Sequence, residues 1–389
     1  MGQVHSSSVY NHPFFSGWSQ AQKDEFLLRP ALAPPANTIP DFEHPPNRTH
    51  HGIVITTVFL SLAGMCFLVR AYSRIMILRR VKTEDVIGLA AMGFYAGLIW
   101  TAYSLAHTPG FWIHQWNVTV LDMSPTLYYW YILPAMYTMT MVCCKSAILL
   151  EWIHLFVPPG TRNGFFWICS GMLWTTVGFY IVMLIAGQFY CTPREKIWHR
   201  WVPGTCGDRR DLQTPSAFFN VITDFIILLL PQKVIWNLDV SNKKRIGVSI
   251  IFSIGLLACV CAIGRTITNM RLDYEGDVTY ESSDPFFWGL AECTGALVVF
   301  CMHSFPLVFS KIPALHILAS NLVKSFKARD SAGSSHTKSK SSEDISLRDY
   351  KRIEEGRAER RDSEVQLDKP EGQPVAGGGI RVTTTFKIT

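Results

Sequence analysis

Four charged side chains stand inside long apolar segments of this chain, and they are the residues most able to do chemistry. Lys145, Asp224, Arg265 and Glu292 each sit among Leu, Ile, Val, Phe, Ala and Cys. A charge within the membrane costs several kcal/mol unless it is paired or hydrated. Two cations and two anions can neutralise one another across a helical bundle. The expectation is an interior charged site built from these four. It can serve a ligand as a polar pocket or relay, or it can be an ion network that only fixes packing. Arg265 lies near one end of its segment, so its long stem is expected to carry the charge to the surface. Glu151 follows Lys145 by between one and two helical turns and marks a second charged place, near the inner face.

Other chemistry is thinly represented. Cys191 and Cys206 flank a polar loop that also holds Pro193, Trp198, Trp201 and Pro203. Outside the cytosol such thiols oxidise, and a bridge would close a loop of about 15 residues, worth about 3 kcal/mol. Two free thiols are the alternative. The other eight cysteines lie in apolar segments, where Cys acts as a small hydrophobe. Histidines are scattered without metal-ligand spacing. There is no Gly-rich phosphate loop before a basic helix and no serine nucleophile elbow. No catalytic residue, metal or cofactor is expected, and the chain is not read as an enzyme. Aromatics gather at Phe111, Trp112, Trp116, Tyr128, Tyr129, Trp130 and Tyr131. An interfacial belt explains them, and a ligand vestibule is the sharper alternative.

The elements that must position these residues are long and apolar. Hydrophobic residues make up 48% of the 389, and charged residues 17%, against about 25% in soluble domains. About 20 apolar residues cross the hydrocarbon as a helix. Seven stretches qualify: 51–72, 85–106, 126–153, 165–190, 215–237, 247–270 and 285–310. Lipid offers no partner for the backbone, so each is expected to be helical. The fold class is all-α: an integral membrane bundle of seven transmembrane helices, residues 51–310, in contact with the lipid bilayer. Ser124-Pro125, Thr214-Pro215 and Asp284-Pro285 each place a capping residue before proline, a helix-start pattern. Thr83-Glu84-Asp85 can cap the second helix. Pro134, Pro231 and Pro306 are expected to kink their helices.

Orientation follows from Lys and Arg in the short loops. Arg74 to Lys82 follow the first segment, Lys243 to Arg245 the fifth, and Lys311 the seventh. The loop at 107–125 has no Lys or Arg, and 271–284 is acidic. The N-terminus is therefore expected outside and the C-terminus inside. The loop at 191–213 dissents, with Arg194, Lys196, Arg200, Arg209 and Arg210 on the outer side. Residues 1–50 form the outer N-tail. Asn47-Arg48-Thr49 and Asn117-Val118-Thr119 are glycosylation sequons, both on the outer side. Residues 311–389 form a cytoplasmic tail expected to be disordered: 329–365 are rich in Ser, Lys, Arg and Glu and too poor in large apolar residues to fold alone, and 371–379 add a Gly-rich stretch. Phosphorylation is expected around Ser334–Ser346. The net charge of +6 reflects cytoplasmic Lys and Arg rather than nucleic-acid binding.

Several stretches, in order, resemble the fungal rhodopsin-domain integral membrane proteins, a group that includes the Pth-type seven-helix receptors. The resemblance spans about residues 50–312. It rests on Arg70-Ala-Tyr-Ser-Arg74, Arg80 and Glu84-Asp85. It continues in Lys145-Ser-Ala-Ile-Leu-Leu150 with Phe156, then Cys191, Pro193, Trp198, Gly204 and Cys206. Asn220, Asp224, Pro231 and Trp236 follow, with Phe252, Gly255 and Arg265, then Trp288, Glu292, Gly295 and Pro306. The family often shows aromatics and Arg at the end of the third helix; here Glu151, Trp152 and His154 stand there. The resemblance implies a receptor-like protein that senses an extracellular cue. A small-molecule ligand would enter from the outer side. Cytoplasmic partners would meet Arg74–Lys82, Lys243–Arg245 and the tail. The plasma membrane is the expected location, with an internal membrane as the alternative. A retinal Schiff base needs a buried lysine, in the seventh helix of known rhodopsins, and residues 285–310 contain none. No light-driven pump is expected. A transporter or an accessory membrane protein of a biosynthetic pathway is the alternative, although no internal repeat supports transport.

Overall fold

Seven helices long and apolar enough to cross a membrane dominate the computed structural model. It describes residue 9 and residues 11–109, 113–158, 160–236, 242–274, 276–305 and 308. For 233–236 and 242–248 only the backbone is described. The tail at 311–389, the side chains of Lys243–Arg245, Phe111, Trp112 and Pro306 lie outside the described residues.

The spanning helices are α1 (Thr49–Tyr72), α2 (Thr83–Ala106), α3 (Val120–Phe156), α4 (Gly164–Gln188), α5 (Arg209–Trp236), α6 (Asn242–Arg271) and α7 (Ser283–Met302). A π-helical turn, Ser73–Ile77, extends α1. One helical turn, Val278–Glu281, precedes α7. Burial sets the order from centre to rim. Of their most apolar windows, α7 is 67% and α3 50% buried inside the protein, against 17% for α4. The lipid-facing side of α4 carries exposed Trp167, Trp174 and Ile181. An apolar side chain there loses nothing, because lipid is as apolar as a protein core.

Two helix starts differ from the proline signals. α3 begins at Val120, where the Thr119 hydroxyl accepts from Asp122 N at 3.1 Å, so Pro125 lies inside the helix. α5 begins at Arg209, ahead of Pro215. In both cases a polar turn extends the helix beyond the apolar run. Hydropathy and proline position alone miss such a turn. Ser283 opens α7 after Ser282, so Pro285 falls in the first turn but Asp284 lies inside the helix rather than capping it. In α2 the cap is Lys82, whose N–H donates to the Asp85 carboxylate at 3.1 Å.

The helices close on one another at few small residues. Gly88 of α2 faces the Phe300 ring of α7 with no room for a Cβ, and a Cβ on Gly295 would meet Ala258 of α6 at 3.0 Å. Small residues let membrane helices approach closely, which is where their packing energy comes from.

One end of the bundle is covered by chain. The strands β1 (Cys191–Thr192) and β2 (Thr205–Cys206) pair antiparallel, and Cys191 is disulfide-bonded to Cys206. The N-terminal segment folds onto the same end. A short helix, Gln20–Leu28, is held by a Ser19 capping box. Val9, Phe15 and Leu27 bury against Val120, Leu121 and Trp201. Ala31 N donates to Val118 O at 2.8 Å, and Val120 N to Arg29 O at 3.1 Å. This is the disulfide end; Ser73–Ile77 and the first turn of α2 mark the opposite end.

Candidate functional site

Five helices contribute to one polar network, with Lys145 at its start. From α3 the Lys145 ammonium lies 2.9 Å from Asp224 Oδ1. It donates to Asn220 Oδ1 and Thr223 Oγ1 at 2.8 Å each, to Asn220 O at 3.2 Å and to Tyr180 OH at 3.4 Å. Tyr180 comes from α4; Asn220, Thr223 and Asp224 come from α5. Asn220 and Asp224 are four residues apart and share a helix face. The second pair joins α6 to α7: Arg265 Nε lies 2.9 Å from Glu292 Oε2. Asn220 links the pairs. Its amide nitrogen donates to Asp224 Oδ2 at 3.2 Å and to Glu292 Oε1. Its amide oxygen accepts from Lys145 and, at 2.5 Å, from Tyr180.

All four sequence-predicted charges thus meet in one network. Lys145 is 1%, Glu292 1% and Arg265 7% exposed. Arg265 does not snorkel. Glu292 holds its Nε, and its guanidinium sits 4.7 Å from the Tyr137 ring centroid, so the side chain is retained in the interior. Sequence reading missed Asn220 as the linking residue, along with Tyr180, Thr223 and Tyr137. Their signal was present in the pattern: polar residues in apolar helices point inward. Asn220 was visible as a family mark, yet not as a partner.

Glu151 belongs to a second polar centre at the opposite end. Arg70 Nη1 donates to both Glu151 oxygens at 3.1 Å and to Phe300 O at 2.7 Å. Arg70 Nη2 reaches Asp85 at 2.7 Å. Arg74 lies 2.9 Å from Glu151 and 3.2 Å from Asp85. Arg70 also lies over the Phe300 ring, 3.6 Å from its centroid. His303 Nδ1 is 3.7 Å from Glu151. Two guanidiniums and two carboxylates therefore tie α1, α2, α3 and α7 together. His154 stands apart from Glu151: its Nδ1 pairs with buried Glu84 at 3.0 Å. The π-turn after Tyr72 follows Arg70 and contains Arg74, and such turns occur often at functional sites.

The remaining candidates sit at the disulfide end. Asn47 is exposed. Asn117 is buried, and its amide oxygen accepts from Asp41 N at 3.2 Å. The folded chain has no room for a glycan at Asn117, because the N-terminal segment covers it. The aromatic cluster divides. Trp116 stacks on His114, and Tyr128 and Tyr131 pack on Trp198. Trp130 is buried in the core and meets Phe286 edge-on. His114 Nδ1 pairs with Asp277 at 2.5 Å. With Gln115 N donating to Asp277 at 2.7 Å, this ties the loop after α2 to the turn before α7.

Three clefts open at this end. One, of about 610 Å³ with open solvent included, is walled by Tyr131, Pro134 and Gln188. A second, of about 750 Å³ on the same measure, reaches Tyr137 and Arg265. The third, of about 1600 Å³, lies under the disulfide loop. Arg209 lines all three.

A multi-pass membrane bundle with a buried ion network is the class that this fold and site define. The chain belongs to the fungal rhodopsin domain family, whose model matches residues 69–311. It is 36% identical to fugralins biosynthesis cluster protein 2 of Gibberella zeae over 285 residues, 72% of this chain and 71% of that protein. A SAT4 family membrane protein of Emericella nidulans is 31% identical over 163 residues, 41% of this chain and 42% of that one. Receptor GIN3 of Arthrobotrys oligospora is 22% identical over 300 residues, 72% of this chain and 69% of that one.

The family's title raises retinal, and the residues present do not fit it. A Schiff base needs a lysine at the end of a long apolar slot. Lys145 is surrounded by oxygens of Tyr180, Asn220, Thr223 and Asp224. It lines none of the three clefts.

Proposed function

We propose that this protein is a receptor-like sensor of an extracellular small molecule, acting without retinal and without enzymatic turnover. The observation that carries the reading is that its two polar centres share α3 and α7. Lys145 and Glu151 are both on α3, about 9 Å apart along the axis at about 1.5 Å per residue. Glu292 and Phe300, whose carbonyl binds Arg70, are both on α7. A change in the interior ion network moves the helices that carry the opposite corner. Coupling of this kind needs elements with two discrete arrangements, and a buried charge pair supplies one when its partners can exchange. The N-terminus and disulfide loop face outside, where the clefts meet the cue. Arg74–Lys82, Lys243–Arg245 and the tail face the cytosol and a signalling partner. The plasma membrane is the natural site for such a protein. The similarity to a protein named as a receptor supports this reading.

A second reading is transport, or an accessory role in a biosynthetic pathway. The similarity to a protein named for fugralins biosynthesis favours it.

The test uses a fungal host lacking the gene, complemented with wild type or Asp224→Asn at matched surface levels. Cytosolic signals are recorded on exposure to culture medium and extracted metabolites. A wild-type response that the variant loses supports sensing. Absence of any response, with altered metabolite levels in the medium, sinks the sensing reading in favour of transport or a pathway role.

A further inference from the structure

The cleft that reaches Tyr137 and Arg265 has buried hydrogen-bond donors without partners in its wall. Arg265 Nη2, Tyr137 OH and Trp130 Nε1 are all buried without a partner, and all three residues line this one cleft. Arg265 and Trp130 are 7% and 9% exposed. A buried donor left unpaired costs about 1–3 kcal/mol, and Arg265 and Tyr137 lie side by side, so their two unpaired donors mark a place completed by something else. The rest of the wall is largely apolar, including Leu133, Phe286 and Leu290.

The approach to this cleft is basic. The larger cavity under the disulfide loop is lined by Lys196, Arg200, Arg209 and Arg210 against Asp208 and Asp273. Arg200 and Arg209 stand together in this wall, like charge beside like charge. An anion relieves that like-charge pairing. Arg209 lines both cavities and leads from one to the other. The basic loop at 191–213 thereby acquires a reason to stand at an end where the positive-inside rule does not place it.

Charge balance selects the ligand. Lys145 and Arg265 cancel Asp224 and Glu292, so the interior network is neutral. Arg209 adds one positive charge to the cleft wall. A monoanion is balanced there; a dianion is not. Resting on the sensing reading above, we propose that the cleft binds an amphipathic organic carboxylate. Its acid group meets Arg265 Nη2 and Tyr137 OH, its apolar body packs on Leu133, Phe286 and Trp130, and it is gathered through the basic cavity by Arg209.

The test uses full-length protein in nanodiscs and titration calorimetry with matched pairs: naphthalene-2-carboxylate with its carboxamide, and dodecanoate with dodecanamide. In at least one pair the acid binds about tenfold tighter than the amide, as a charge-assisted hydrogen bond implies. Added salt weakens the acid and leaves the amide unchanged. Tyr137→Phe removes a hydroxyl that has no partner, so it preserves stability while weakening the acid several-fold. Arg209→Gln weakens the acid and spares the amide. The proposal is overturned if acids and amides bind equally, if neither member of any pair binds the folded protein, or if both variants leave acid binding unchanged. Failure here with a surviving Asp224-dependent cellular response refutes the carboxylate alone. Carboxylate binding without any cellular response refutes sensing and leaves the cleft.

Discussion

Lys145→Met is the sharpest perturbation of the interior network. Methionine matches the stem in length and removes the ammonium with its charge and its donors. The substitution strands Asp224, whose side chain is 15% exposed and whose cation was 2.9 Å away. Removing one partner of a buried pair costs about 3–5 kcal/mol, because the other charge stays behind. The lost hydrogen bonds to Thr223 and Tyr180 matter less, at about 0.6 kcal/mol each for an interhelical bond in a membrane. The stranded carboxylate therefore dominates. Asp224→Leu is milder, about 2–3 kcal/mol, since Lys145 keeps the oxygens of Asn220, Thr223 and Tyr180. The double variant leaves no stranded charge. Its loss should fall short of the sum of the singles by at least about 2 kcal/mol. The assay is equilibrium unfolding of nanodisc or mixed-micelle protein, reported by tryptophan fluorescence. Additivity within about 0.5 kcal/mol would refute the reasoning, and so would a Lys145→Met loss below about 1 kcal/mol.

Two further substitutions test the rest of the frame. Arg70→Met should destabilise by about 3–5 kcal/mol, because Arg70 serves Glu151, Asp85 and Phe300 O while nearly fully buried. Arg74→Met should cost roughly half as much, since Arg74 is the more exposed of the two, at 13% against 3%, and Arg70 keeps its contacts to both carboxylates and to Phe300 O. Equal losses in the same unfolding assay would contradict that division. Gly88→Ala should cost about 1–3 kcal/mol by driving a methyl group into the Phe300 ring. Gly93→Ala on the same helix, where a Cβ meets nothing within 4 Å, should be neutral or better. Thermal midpoints of the two variants check the contrast.

Much of this arrangement was legible in the residues. Runs of about 20 apolar residues have one stable form in lipid, because the backbone can find its partners only within its own helix. Seven such runs therefore meant seven helices. The four interior charges were legible for a related reason: a charge in lipid is tolerable only beside another. That Lys145 takes Asp224 and Arg265 takes Glu292 was not legible. Hydropathy says how deep a residue lies, not which way its helix is turned. Pairing depends on the rotation of α3, α5, α6 and α7 about their axes, and close contacts such as Gly295 on Ala258 help set that rotation.

The N-terminal segment was read as a plain tail, and it folds over the loops instead. Its cluster around Phe15 depends on Val120, Leu121 and Trp201, more than 180 positions away in the case of Trp201. The corner where Arg70 and Arg74 grip Asp85 and Glu151 has the same origin. All four residues were in view as loop charges, family marks or helix-end residues, but four helices had to assemble before they met. By itself the sequence determined what local physics in lipid decides: helix number, the apolar span of each helix and the presence of buried charge. Only the tertiary structure decided which charges pair and which donors stay unpaired, because those depend on helix rotation and packing, which a one-dimensional pattern does not carry.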